Sequence, residues 1–325
     1  MPNFFPCRHI VSAIALCAAF SACASDYPAR PVTLINPYPA GSASDITARQ
    51  FAVAFEKELK QSVIVMNKPG AGGLIGTRFV AAAEPDGYTL LMGAIGTHVF
   101  NPMLHKSPGY DPVTDFQPVS RIIAFPNVLV VRADLGVSSV DELIKLAKAA
   151  PQPLIYGTGG NGTTSHIAAS QFEYLTKSKF VPVNFQGTNN AVTEVLAGRV
   201  DFLFGNINVV LPHIATHKLK PLAIASSSRY PQLPDVPTFN ELGMPEMEMS
   251  VWSGVFLPAK TPDHIRQVLS AAVKAAGRSK ALQQQYRDAG ATVEIDETPE
   301  AFAKAIQADT EKWGPVVKRM GIQVQ

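Results

Sequence analysis

Residues 156 to 166 read YGTGGNGTTSH, and within them Gly157, Gly159 and Gly162 fall into the spacing G-x-G-x-x-G. An apolar run, Pro153-Leu154-Ile155-Tyr156, precedes them and a helix-like stretch follows. In that setting such glycines form the turn by which many dehydrogenases hold the pyrophosphate of NAD. The same fingerprint needs a carboxylate about 20 residues further on, at the end of the next strand, to hold the ribose. Here that strand ends in Val183-Asn184-Phe185-Gln186 without an acid, and Glu173 falls inside the helix. The missing acid argues against NAD, but the backbone geometry keeps its meaning. A glycine-rich strand-to-helix turn exposes N–H groups, and the first amides of the helix point the same way. Thr158, Asn161, Thr163, Thr164 and Ser165 add short hydrogen-bonding side chains, with no lysine or arginine among them. The expected occupant is a small anion such as a carboxylate. The competing account is a tight turn chosen for packing alone.

A second turn, Asn36-Pro37-Tyr38-Pro39-Ala40-Gly41-Ser42-Ala43-Ser44-Asp45, also joins a strand to a helix and leaves amides accessible. Asp45 or Ser44 is expected to cap that helix, with Asp45 and Arg49 four apart as a helical ion pair. A third glycine-rich piece, Asn67 to Gly73, follows the second strand. Turns at the carboxyl ends of parallel strands are where α/β proteins bind ligands. Catalytic spacings are harder to find: the chain has no H-E-x-x-H, no G-x-S-x-G and no P-loop lysine. His213 and His217 lack an evident third metal ligand, and His98 and His166 border candidate ligand loops.

These turns need strands and helices to hold them. Strand patterns at Val32–Ile35, Val63–Met66 and Tyr88–Met92 alternate with helical ones at Ile46–Leu59 and Phe79–Ala83. A second block repeats the order, with strands at Asn127–Val131, Leu154–Tyr156, Val181–Phe185, Val200–Phe204 and Leu219–Ala225. Ser139-Val140-Asp141-Glu142 reads as a capping box that opens a helix ending near Ala150. A proline-punctuated stretch follows Ser226, then a strand at Ser250–Leu257 and terminal helices. Thr261 and Thr298, each before a proline, are expected N-caps, and Gly277 and Gly290 expected stops. Such alternation predicts an α/β fold with parallel sheets flanked by helices.

The chain has 325 residues, enough for two domains, and 46% apolar residues, as expected of a packed protein. A net charge of +2 gives no basis for nucleic-acid binding. Residues 1–24 resemble a secretory signal: Arg8 and His9 lead into Ile10–Phe20, and Ala22 and Ala24 suit cleavage after Ala24. Cys23 is also placed as in a lipoprotein site, although Phe20 fits that pattern poorly. All three cysteines, Cys7, Cys17 and Cys23, lie in this leader, so the mature chain is expected to have no thiol chemistry.

Several segments in order carry a further likeness. Tyr27-Pro28-Ala29-Arg30-Pro31 before the first strand, Pro37-Tyr38-Pro39-Ala40-Gly41, Asn67-Lys68-Pro69-Gly70-Ala71-Gly72-Gly73 and Pro85-Asp86-Gly87-Tyr88-Thr89-Leu90 do so, with Leu233-Pro234-Asp235-Val236-Pro237-Thr238 and Trp252-Ser253-Gly254 further on. In these the chain resembles the Bug-type periplasmic solute-binding receptors of tripartite tricarboxylate transporters. The resemblance implies a two-lobed, type II-like periplasmic binding protein, each lobe a mainly parallel sheet flanked by helices, with two strand crossovers as hinge. It puts one lobe at 25–125 plus 246–325 and the other at 126–245. It also implies a non-enzymatic receptor, without cofactor, that delivers a carboxylate to membrane subunits. The ligand positions it implies are Tyr38, Ala40, Gly41 and Ser42 in the first turn, then Thr158, Asn161, Gly162, Thr163 and Ser165 in the second, with Gly205 and Asn206 in a third loop. His166 and Phe185 adjoin these and complete the expected site.

Three departures from the family pattern bear on the ligand. Ser42 stands for a usual glycine, Asn184-Phe185-Gln186-Gly187 for a Pro-Tyr-Lys-Gly segment, and Gly205 for a common aspartate. Without that acid a buried ammonium has no partner, which points to a carboxylate without an amine. Tyr38 and Phe185 could flank an aromatic ring, as in an aromatic dicarboxylate. The alternatives are a secreted α/β hydrolase with a spatially assembled Ser/His/Asp site, and a ligand sensor for a signalling partner.

Overall fold

The computed structural model describes residues 27–320; the leader and its cysteines lie outside the described residues. The chain opens with strand β1 (Val32–Asn36), helix α1 (Ala43–Leu59), β2 (Val63–Asn67), α2 (Leu74–Ala81) and β3 (Thr89–Ala94). On α1, Ala48, Phe51, Ala52, Phe55 and Leu59 are buried, a stripe at helical spacing that packs on the sheet. A π-helical turn (Gly96–Phe100) and the short α3 (Asn101–Leu104) follow. Next come β4 (Phe116–Arg132), α4 (Val140–Ala149), β5 (Leu154–Thr158), α5 (Thr164–Thr176), β6 (Phe180–Asn184), α6 (Thr188–Leu196), β7 (Phe202–Asn206), α7 (Ile207–Ala215) and β8 (Leu219–Ile224). The chain ends with β9 (Ser250–Pro258), α8 (Asp263–Gly277), α9 (Lys280–Asp288) and α10 (Pro299–Met320).

The sheet is mixed and runs in the order β2-β1-β3-β9-β4-β7-β5-β6, with β8 also paired to β4. β1 lies parallel to β2 and β3, and β5 lies parallel to β6 and β7. The long strand β4 joins the two parallel sets. Its first part pairs antiparallel with β9 and its last part with β7 and β8. The sequence pattern revealed only Asn127–Val131, because Pro118 and Pro126 break the expected strand texture. The structure shifts register directly after Pro118, before Ser120, and again between Arg121 and Ile123, while Pro126 pairs in register with Ser250 at the end of the β9 ladder.

Each half has its own aromatic cluster. Trp252, Phe256 and Phe302 pack together on the β9 side, and Phe172, Phe180, Phe204 and Phe239 on the other. The last turn of α10 reaches across: the Arg319 guanidinium lies 4.6 Å from the centre of the Tyr174 ring on α5. Helix ends follow the expected chemistry with two exceptions. The Ser139 and Thr298 hydroxyls accept from Glu142 and Ala301 N–H at 3.1 Å each. Thr261 does not cap α8; its hydroxyl is turned back to donate to the Pro258 carbonyl. At α1 the N-cap is Ser42, with Asp45 the third helical residue.

Candidate functional site

Five strands of the parallel sets end in a turn that leads into a helix, and these turns converge on one cavity of about 470 Å3. Ser42 and Ala43 bring the start of α1, Gly73 that of α2 and Thr163 that of α5. Gly187 and Asn206 bring the starts of α6 and α7. Of these five helices only α1 has a side-chain cap; the first amides of α2, α5, α6 and α7 receive none. A helix start carries about half a positive charge and unsatisfied N–H groups. The cavity lining contains no Asp, Glu, Lys, Arg or His. Its positive character therefore comes from the backbone, at a place where an ammonium would find no carboxylate.

The first turn is held from behind. Asp45 accepts from Gly41 N–H and from Asn67 Nδ2, both at 2.9 Å, and pairs with Arg49 at 3.0 Å. Asn36 and Asn67 amides both donate to the Tyr38 carbonyl, and Ser44 donates to Asn36 Oδ1 at 2.7 Å. Burial alone would raise the Asp45 carboxyl, but Arg49, the Gly41 N–H and Asn67 together hold it below the usual range. This network fixes Tyr38, whose ring lies against Gly73 and whose hydroxyl lies beside Gly96. Burial pushes the Tyr38 phenol well up, so it stays a neutral hydroxyl.

The second turn satisfies much of itself. Gly159 N–H donates to Ser165 Oγ and Gly160 N–H to Thr158 Oγ1, each at 3.0 Å. Gly162 N–H donates to His166 Nδ1 at 3.4 Å, and Thr163 Oγ1 donates to the Gly160 carbonyl at 2.7 Å. Asn184 closes the network: Thr158 donates to its oxygen at 2.7 Å and its amide donates to Asn161 at 2.9 Å. The last residue of β6, where a dinucleotide fold needs its acid, is here a strut of the turn.

Of the expected site residues, Tyr38, Ser42, Thr163, Phe185 and Asn206 line the cavity. Ala40 and Gly41 are exposed and do not line the cavity, and the Gly41 carbonyl accepts from Asn189 Nδ2 of α6 at 2.8 Å. Thr158, Ser165 and His166 are buried behind the second turn, and burial pushes the His166 imidazole down to about 4. With Ser165 and His166 engaged by Gly159 and Gly162, the geometry does not bring them together as nucleophile and base. Asn161 and Gly162 face the other half of the molecule rather than the cavity. A Cβ on Gly162 would fall 2.1 Å from Asn101 Oδ1, and one on Gly72 would fall 2.5 Å from the Asn161 carbonyl oxygen. Gly205 lies in the packed interior of β7, where a Cβ would meet Val210 at 2.3 Å. An aspartate has no room there in this packing. His98 is likewise a core residue, stacked on Phe256 at 3.7 Å and pushed down to about 3 by burial.

Sequence reasoning did not assign the cavity floor. Phe125 on β4 and Val251 and Ser253 on β9 line it, while Trp252 and Gly254 face α10. The signal was the period-two alternation of Trp252-Ser253-Gly254, which sends its serine to one face and its neighbours to the other. The piece Asn67 to Gly73 contributes Pro69 and Gly70 to Gly73.

A mixed sheet with a shared crossover strand, flanking helices and a cavity between two halves defines the periplasmic-binding-protein fold. The chain belongs to the tripartite tricarboxylate transporter receptor family, whose pattern matches residues 47–322. It is 35% identical over 303 residues to the protein BugT of Bordetella pertussis, covering 93% of each chain. A Rhodopseudomonas palustris protein solved with adipate has 32% identity and a TM-score of 0.87, over 92% of this chain and 99% of that one. MatC from the same organism, solved with malate, has 32% identity and a TM-score of 0.85, over 90% and 100%. The family consists of solute receptors, and among the described residues no helix is long and apolar enough to cross a membrane.

Proposed function

We propose that this chain is a periplasmic receptor that captures an amine-free dicarboxylate between its two halves and delivers it to the membrane subunits of a tripartite transporter. One observation carries the ligand class: uncapped helix starts converge on a cavity without a charged side chain. Hydrogen bonds to a charged group contribute about 1.5–3 kcal/mol each, and a helix terminus up to about 2 kcal/mol. Micromolar affinity needs about 8 kcal/mol net of ordering costs, which two carboxylates at opposite ends of the cavity can reach.

Tyr38, Ser42, Thr163, Phe185 and Asn206 are the contacts assigned to the ligand. Tyr38 and Phe185 flank its middle, and an aromatic dicarboxylate suits them. The adipate and malate held by the R. palustris relatives support the dicarboxylate class. Export through the leader, with cleavage after Ala24, places the receptor in the periplasm. The lobes are 25–125 with 246–325, and 126–245. Calorimetry with adipate, malate and terephthalate beside aspartate and glutamate tests the ligand class. The expected result is binding of amine-free diacids, terephthalate best. Binding of the amino acids alone would overturn the assignment.

A further inference from the structure

A second cavity, of about 610 Å3, shares no lining residue with the first. One wall is the loop after β8, through Tyr230 and Gln232. The other is formed by α8, α9 and the segment after them, with Lys274, Arg278, Arg287 and Thr292. Gln232 Nε2 donates to the Arg287 carbonyl at 2.6 Å, tying the walls together. Thr292 pairs with Ala124 of β4, whose next residue, Phe125, lines the ligand cavity. The crossover strand therefore lines the ligand cavity and pairs with a residue that lines the second.

Charge sets this place apart. Arg121, Arg132 and Arg266 each hold two carboxylates. Among the described residues Lys274, Arg278 and Arg287 hold none. Lys274 donates to the Glu297 carbonyl and Arg287 to the Gln284 side chain at 2.9 Å. Glu297 is the single acid in the lining. Three like charges on a concave wall repel one another, and an anion offsets that repulsion. Guanidinium forks match the oxygens of carboxylates and phosphates, and the volume suits a small molecule.

We propose that this cavity is a second binding site, for a small multivalent oxyanion carrying two or more carboxylate or phosphate groups. Because both walls contribute, an occupant favours the arrangement in which they are close, and by linkage binding at the two sites is mutually strengthened.

Calorimetry with citrate and with pyrophosphate tests this on wild type, on the double variant Arg278→Ala/Arg287→Ala, and on the ligand-cleft variant Gly162→Ala. Arg278 and Arg287 are exposed, so the double variant is expected to keep its thermal stability. Saturable binding of either anion that weakens about tenfold or more in the double variant, yet persists in Gly162→Ala, is the expected result. Which anion binds separates a carboxylate from a phosphate source. The proposal is overturned if neither binds in the millimolar range, if binding is unchanged in the double variant, or if only Gly162→Ala removes it.

Discussion

Gly41 in the first turn and Gly162 in the second share a backbone conformation, with φ of +74° and +76°, but their surroundings differ. Around Gly41 a side chain would meet nothing within 4 Å; at Gly162 it would run into Asn101 across the interface. Gly41 meets the other half through its carbonyl, which accepts from Asn189 Nδ2 at 2.8 Å, with open space where a side chain would stand; Gly162 meets it at a point with no room for a side chain. The turns differ in the same sense: the first is braced by Asp45 and capped by Ser42, whereas the second spends its inner amides on its own side chains and leaves its helix uncapped. The first turn is braced from outside itself, and the second largely by its own residues.

Substitution to alanine at both glycines breaks or sharpens that contrast. Gly162→Ala is expected to cost the arrangement in which the two halves meet about 1–3 kcal/mol by overpacking, roughly 10- to 100-fold in ligand affinity by calorimetry. Gly41→Ala adds only the left-handed strain of about 1–2 kcal/mol to stability and leaves affinity nearly unchanged. Equal affinity losses at the two positions would remove the distinction between them.

Asp45→Ala removes the acceptor of the Gly41 N–H, one partner of the Asn67 amide and the partner of Arg49, and is expected to cost about 2 kcal/mol in urea unfolding at neutral pH. The folded carboxyl lies below its unfolded value, so its contribution is full above the unfolded pKa and is lost as pH falls through the folded one. The variant and wild type should therefore converge in strong acid.

His166 is held neutral rather than charged, yet its contribution is also lost as pH falls. Its imidazole is held neutral at about 4, so the unfolded chain binds the extra proton between about 6.5 and 4. Stability should fall with pH through that window by about 1.4 kcal/mol per pH unit, with a smaller slope in His166→Gln. Ligand affinity should stay flat from pH 6 to 8, since the lining holds no Asp, Glu, Lys, Arg or His and burial pushes its Tyr38 phenol well up. The smallest effect is that of Ser42→Ala, about 1 kcal/mol of stability for the lost cap of α1.

Much of the fold was legible because its signals are local. The apolar runs at Val32, Val63 and Leu154 became β1, β2 and β5, and the glycine turns after β1 and β5 face the cavity. Legibility stopped where one residue's role depends on a distant neighbour. Thr158, Ser165 and His166 have the chemistry of ligand contacts, yet they serve the turn from behind. Gly205 read as a missing charge and is a packing position against Val210.

The sequence by itself determined the alternation of strands and helices, the three glycine-rich turns and the absence of an acid after the second. Each depends on residues within a few positions of one another. Only the tertiary structure decided which side of each turn faces inward, and that Phe125, Val251 and Ser253 form the floor. It also decided that helix starts from both halves share a cavity free of charge. Those properties arise where segments far apart in the chain are brought together by a common core, and no local spacing encodes the meeting.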